Sequence, residues 1–65
     1  MVTVNGEEIS FIEGETLAQL ILRCGYSNGR IAAEVNGSIV PRAKHEECIV
    51  KADDRIEIVG LIGGG

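Results

Sequence analysis

The sequence predicts an α+β domain in which one helix lies across a single mixed sheet, and three observations lead there. Val-Asn-Gly occurs at 4–6 and again at 35–37, each time beside short alternating apolar runs, and Asn-Gly is the strongest two-residue hairpin signal. A stripe of Leu17, Leu20, Ile21 and Cys24 follows the i, i+3, i+4, i+7 spacing of an amphipathic helix. A last alternating run, RIEIV at 55–59, closes the set.

The elements follow in order. Val2 and Val4 alternate with Met1 and Thr3 as in a half-buried strand, and Asn5-Gly6 turns the chain back. Ile9 and Phe11 share one face of the return strand, so the first hairpin is expected over residues 1–12, ended by Glu13-Gly14-Glu15. Thr16 is a good N-cap and Gly25 reads as the C-cap, which predicts a helix of about nine residues. An isolated helix needs roughly 12–15 residues to be even marginal in water, so this one is expected to be held by packing on the sheet. After a YSNGR loop, Ile31, Ala33 and Val35 face one way and Ala32 and Glu34 the other. Asn36-Gly37 turns the chain into Ile39-Val40, which Pro41 stops for want of a ladder donor. The stretch AKHEECIVKADD is read as an irregular connection with one turn of helix. In the final strand Ile56 and Ile58 point inward, and Arg55 and Glu57 point to solvent. The repeated triplet is not an internal repeat, because a helix follows one copy and an irregular connection the other. The order β-β-α-β-β-β with one helix across a mixed sheet is a ubiquitin-like β-grasp arrangement.

Composition narrows the function. The chain has 65 residues, 6 Lys and Arg against 10 Asp and Glu, and a net charge of −4. A single domain this small buries only about 60% of its unfolded surface, and carving a ligand pocket from so modest a core argues against a self-contained enzyme. The scattered basic residues disfavour nucleic acid, which needs a concentrated positive footprint, and a basic protein surface fits better. MVTVNGEE does not read as a signal peptide, and no stretch approaches the roughly 20 apolar residues of a membrane span. Cys24 and Cys48 are accordingly read as reduced thiols of a cytoplasmic protein.

Candidate chemistry is sparse. His45 is read as a solvated loop histidine, with no nucleophile or orienting carboxylate beside it in any recognisable motif. Cys24 belongs to the apolar stripe and Cys48 borders Ile49 and Val50, so both are read as packed small hydrophobes. Two cysteines and one histidine at these separations make no zinc pattern, and no metal or other cofactor is expected. The pairs Glu7-Glu8, Glu46-Glu47 and Asp53-Asp54 are read as solvated loop charges. Gly63, Gly64 and Gly65 cannot form a phosphate-cradling loop, since that motif relies on a helix starting after the glycines. Three glycines add nothing to fold stability. They read either as a frayed end or as a tail thin enough to enter a narrow channel and present the terminal carboxylate inside another protein. If the last strand continues past Val59, Leu61 shares its parity on the face opposite Ile56 and Ile58.

The segments VNG (4–6), EGETL (13–17), AAEVNGSIVPR (32–42) and DRIEIV (54–59), with the glycine terminus, are where the sequence resembles the ThiS family. These are small ubiquitin-like sulfur carriers of thiamine biosynthesis that end in Gly-Gly. Two departures stand out. Ala52-Asp53-Asp54 replaces Asp-Gly-Asp, which Asp53 tolerates because aspartate visits left-handed conformations, and His45 stands where a bulky aromatic is frequent.

The resemblance implies a β-grasp domain over residues 1–61 and a flexible glycine tail over 62–65. Gly65 is then the residue adenylated and converted to a thiocarboxylate, and Gly63 and Gly64 pass through the partner's channel. Strand parity, not the resemblance, makes Val59 and Leu61 exposed apolar residues near the tail that with Ile62 are expected to dock the partner; the alternative is that the strand twists and buries them under the connection. The chain is a carrier and not an enzyme, monomeric when free. Its implied partners are a ThiF-type adenylyltransferase, a persulfide sulfur donor and thiazole synthase. Alternatives are a carrier for molybdopterin or cysteine synthesis, a ubiquitin-like modifier that passes its activated end to a lysine, and a TGS-like module of RNA-associated proteins. TGS modules lack the terminal glycine pair, and the negative charge here disfavours RNA.

Overall fold

In a computed structural model that describes residues 1–26 and 30–60, the chain runs β1 (Val2–Val4), β2 (Glu7–Ile9), α1 (Leu17–Arg23), β3 (Ile31–Val35), β4 (Ser38–Val40), a 3₁₀ turn (Arg42–Lys44) and β5 (Arg55–Gly60). The sheet order is β2-β1-β5-β3-β4, so the last strand takes the central place. It runs parallel to β1 and antiparallel to β3. A mixed five-stranded sheet with one helix is the β-grasp arrangement expected from the sequence.

Both Asn-Gly pairs close two-residue loops, between Val4 and Glu7 and between Val35 and Ser38. Their φ angles are all positive, 50° and 85° at Asn5 and Gly6 and 53° and 87° at Asn36 and Gly37, as a primed hairpin turn requires. The asparagine side chains reach further than the turns. The Ile58 N–H donates to Asn5 Oδ1 at 2.7 Å, while Asn5 Nδ2 donates to the Ile58 carbonyl and to the Tyr26 hydroxyl, each at 3.0 Å. From the opposite side, the Arg55 N–H donates to Asn36 Oδ1 at 2.9 Å and Asn36 Nδ2 donates to Asp54 Oδ1 at 2.9 Å. The repeated triplet thus does one job twice, bracing β5 from both flanks.

The first hairpin is shorter than expected. β2 ends at Ile9, and beyond it the Ser10 carbonyl accepts from Arg23 Nη2 at 2.9 Å instead of extending the ladder. The same guanidinium grips Glu15 at two points, Nε to Oε2 and Nη2 to Oε1, both at 2.9 Å. Glu15 is only 7% exposed, so the paired guanidinium is what makes its burial tolerable, and the carboxylate in turn holds the Arg23 pKa above its ordinary value. This clamp ties the connection after β2 to the last turn of the helix.

Thr16 caps α1 as expected, and Gln19 completes a capping box: Thr16 Oγ1 accepts from the Gln19 N–H at 3.1 Å and Gln19 Oε1 accepts from the Thr16 N–H at 3.0 Å. At the other end Cys24 is the C-cap and Gly25, at φ 94°, is the residue after it. The Tyr26 N–H reaches the Ile21 carbonyl and the Gly25 N–H the Leu22 carbonyl, the paired bonds of a Schellman motif. The remaining orphan donors of the first turn are satisfied from far along the chain: Leu17 N–H by the Cys48 carbonyl at 2.7 Å and Ala18 N–H by the His45 carbonyl at 3.0 Å.

That stitching corrects the reading of His45 as a solvated loop residue. It is 5% exposed, and its Nε2 donates to the Val40 carbonyl at 3.0 Å, which fixes the proton on that nitrogen. The connection is pulled onto the helix N-terminus, and the imidazole goes inside with it. Val50 is buried in the same way, its N–H donating to the Glu15 carbonyl at 2.9 Å, while Ile49 stays exposed. Asp53 adopts φ 68°, the left-handed conformation expected where a glycine is common. The core joins Val2 and Val4 of β1, Ala33 of β3 and Ile56 and Ile58 of β5 to Leu17, Leu20 and Ile21 of α1 and to Val50.

Two substitutions test these devices. Arg23→Ala leaves the buried Glu15 carboxylate without its partner and is expected to cost about 2 kcal/mol in urea unfolding; a loss below about 0.5 kcal/mol contradicts the clamp. Asn5→Gly keeps a residue at ease at positive φ but removes three side-chain hydrogen bonds. It is expected to cost about 1–2 kcal/mol, and an unchanged unfolding midpoint shows that the bonds to Ile58 and Tyr26 contribute nothing.

Candidate functional site

Of the residues singled out in the sequence as a functional end, Gly63, Gly64, Gly65, Leu61 and Ile62 lie outside the described residues. What the structure describes is the platform that leads to them. β5 ends at Gly60, in register with Ile31. Its inward residues Ile56 and Ile58 are fully packed, and Val59 points the other way, 58% exposed and paired with Ala32 of β3. Alternation in the sequence foretold that orientation.

Being the middle strand, β5 is anchored along both edges, as far as Ile58 on one and Gly60 on the other. The Asn5 side chain holds it at Ile58 on the β1 side, and the ladder with β3 continues to Gly60. Strand order and the two asparagine bonds are tertiary facts, and the sequence reading missed them. Only the repetition of Val-Asn-Gly hinted at a shared role.

The open face of the sheet has two adjoining rows. In one, Glu57 of β5 stands opposite Glu34 of β3, which stands opposite Ile39 of β4. In the other, Val59 stands opposite Ala32. Ile39, 73% exposed, thus lies beside Glu34 across the row, and Val59 lies beside Glu57 along β5.

The other candidates are structural. Both thiols are half-buried, and burial is the main cause raising each pKa above its ordinary value, opposed at Cys24 by Arg23 and reinforced at Cys48 by Asp54. Neither has the lowered pKa of a reactive cysteine. Asp54 spends its carboxylate on the Lys51 N–H at 2.8 Å and on Asn36 Nδ2, closing a turn. Glu7, Glu8, Glu46, Glu47 and Asp53 are exposed, and among the described residues no group of three His, Cys, Asp or Glu is placed to hold a metal ion. An open depression of about 560 Å³ lies between the start of α1 and the 3₁₀ turn, lined by Ala18, Ile31, Arg42, Ala43, His45 and Glu46. Of its lining only His45 is buried, so it is a hollow of the surface and not a chamber in the core. Among the described residues no helix is long and apolar enough to cross a membrane.

Comparison with known proteins places this architecture. The chain is 37% identical over 62 residues to a thiazole synthase of Paramagnetospirillum magneticum, a match that covers 95% of this chain and 19% of that protein. It thus spans about a fifth of the length of that relative and of a second thiazole synthase, from Magnetococcus marinus. It is also 28% identical to the uncharacterized protein ycf40 of Porphyra purpurea, across 98% of this chain and 90% of that one. Among solved structures, the thiamine biosynthesis protein (ThiS) of Geobacter metallireducens superposes with a TM-score of 0.78 at 25% identity, covering 98% of this chain and 97% of its own. The ThiS family model matches residues 2–65. With its five strands in β-grasp order and residues 2–65 matched by that model, the chain belongs to the ThiS family.

Proposed function

We propose that this protein is a sulfur carrier of thiamine biosynthesis, acting through residues 62–65 as a tail on a folded domain of residues 1–61. The observation that carries the reading is the family match over residues 2–65, which takes in the glycine end. The likeness to two proteins named thiazole synthase favours the thiazole branch over molybdopterin or cysteine synthesis.

The chemistry starts from the Gly65 carboxylate, which resonance makes inert toward a sulfur nucleophile. A ThiF-type adenylyltransferase joins it to the α-phosphate of ATP and releases pyrophosphate, giving an acyl-adenylate whose leaving group is AMP. The terminal sulfur of a persulfide donor attacks the acyl carbon and expels AMP. A thiol then cleaves the sulfur–sulfur bond and leaves the Gly65 thiocarboxylate, which thiazole synthase consumes. The chain is the substrate in each step and supplies no catalytic group of its own. Gly63 and Gly64 allow passage through a channel too narrow for a Cβ, while Val59, Leu61 and Ile62 seat the partner beside it. The anchored β5 suits this role, because a fixed last strand delivers the tail from a defined point.

Two experiments test the reading. Incubation of the full chain with a ThiF-type adenylyltransferase, ATP and a persulfide donor is expected to replace one terminal oxygen by sulfur, seen as the corresponding mass increase of the intact protein; an unchanged mass with an active partner contradicts it. Deletion of Gly64 and Gly65 is expected to leave stability within about 0.5 kcal/mol. It withdraws the carboxylate by about 7 Å, at roughly 3.3–3.6 Å per extended residue. ATP–pyrophosphate exchange is then expected to vanish, since catalysis fails on far smaller misplacements. Gly64→Val, of full length but with a branched side chain, is expected to lose exchange as well. Wild-type exchange by either variant rules out the channel.

A further inference from the structure

Asn5-Gly6 and Asn36-Gly37 are chemically fragile as well as good turns. An asparagine followed by glycine is the one most open to deamidation, because glycine has no Cβ to crowd the approach of its nitrogen to the asparagine side chain. In that reaction the glycine nitrogen bonds to Cγ, the Cγ–Nδ2 bond breaks, and the amide nitrogen leaves as ammonia, taking up the proton that the glycine nitrogen gives up. Water then opens the five-membered imide at either carbonyl and leaves aspartate or isoaspartate. Nothing is oxidised or reduced. Both asparagines are exposed, so solvent reaches them and burial gives no protection. What holds them is β5. Asn5 Oδ1 accepts from the Ile58 N–H at 2.7 Å, and its Nδ2 donates to the Ile58 carbonyl and the Tyr26 hydroxyl. Asn36 Oδ1 accepts from the Arg55 N–H, and its Nδ2 donates to Asp54 Oδ1, both at 2.9 Å. With oxygen and nitrogen both bonded to the strand or to the residue before it, Cγ cannot swing over the glycine nitrogen.

We infer that Asn5 and Asn36 are latent deamidation sites, closed by the hydrogen bonds that brace β5 and opened when that strand detaches. Conversion then makes the detachment irreversible. A carboxylate has no N–H to donate. At position 5 its second oxygen meets the Ile58 carbonyl, acceptor against acceptor, and at position 36 it meets the Asp54 carboxylate, like charge against like charge. Asp54 also accepts from the Lys51 N–H at 2.8 Å, so repulsion there disturbs the turn before β5 too. Isoaspartate adds a backbone carbon to a two-residue loop whose paired positive φ angles suit the normal chain. Either product removes a brace, so the strand opens more often and the second site is reached sooner. The two amides together act as one irreversible mark of unfolding.

The test follows deamidation of the full chain at mildly alkaline pH by mass spectrometry of its peptides, in native buffer and in guanidinium chloride. Both sites are expected to react at least about tenfold more slowly in the native protein, since the reaction waits on opening of a stable strand. Equal rates in the two conditions overturn the inference. Ile58→Val leaves the hydrogen-bonding groups at both sites in place but loosens the packing of β5. It is expected to speed both sites together by about 2–12-fold, the equivalent of the usual cost of about 0.5–1.5 kcal/mol at a factor of ten per about 1.4 kcal/mol. An unchanged native rate at either site shows that its turn opens without the strand and overturns the shared gate. Asn5→Asp and Asn36→Asp, which stand for the simpler product, are each expected to lower the Tm by about 4–8 °C. A Tm equal to that of the wild type in both variants shows that conversion leaves β5 as firmly held as before, and the inference then fails.

Discussion

The fold turns on the position of its last strand. β5 is the final element described along the chain and the central one of the sheet, so β1 and β3, more than twenty residues apart in sequence, meet only through it. A parallel partner on one side and an antiparallel one on the other take up its backbone hydrogen-bonding groups. Ile56 and Ile58 complete the apolar face on which α1 sits. Without β5 the two hairpins are separate ribbons, and an isolated hairpin is marginal in water. The asparagines of the two turns reinforce this arrangement at Ile58 and Arg55, and so convert a local turn signal into a long-range brace.

The short helix is the second dependent part. Its seven residues cannot hold themselves, and the structure supplies what they lack from three places. Thr16 and Gln19 cap one end, Gly25 and Tyr26 close the other, and the carbonyls of His45 and Cys48 in the connection accept from N–H groups of the first turn. A polar stretch that looks like a surface loop therefore takes two backbone acceptors and a buried imidazole into the fold. The Glu15–Arg23 pair then locks the far side. In so small a core, hydrogen bonds and one part-buried ion pair share the work that apolar area does in larger domains.

Against this economy the open face of the sheet is costly. Glu34 and Glu57 are like charges facing each other across the β3–β5 ladder, which disfavours that pairing, and Ile39 and Val59 stay exposed beside them. These residues lie on β3, β4 and β5, which are neighbours in the sheet.

The sequence by itself determined the local geometry. The Asn-Gly turns, the helix stripe with its Thr16 cap, the inward parity of Ile56 and Ile58, the outward parity of Val59 and the left-handed Asp53 each follow from one residue's preference or a short period, set by neighbours within a few positions. The family, too, was legible in residues, in the blocks around Val-Asn-Gly and the glycine end. Only the tertiary structure decided the early end of β2, the burial of His45, the grip of Arg23 on Glu15 and the facing of Glu34 and Glu57. Each of these depends on which distant backbone comes alongside, and no periodicity encodes that. Strand register and long-range pairing are chosen by the whole core at once, because moving a strand by one residue turns every side chain to the other face.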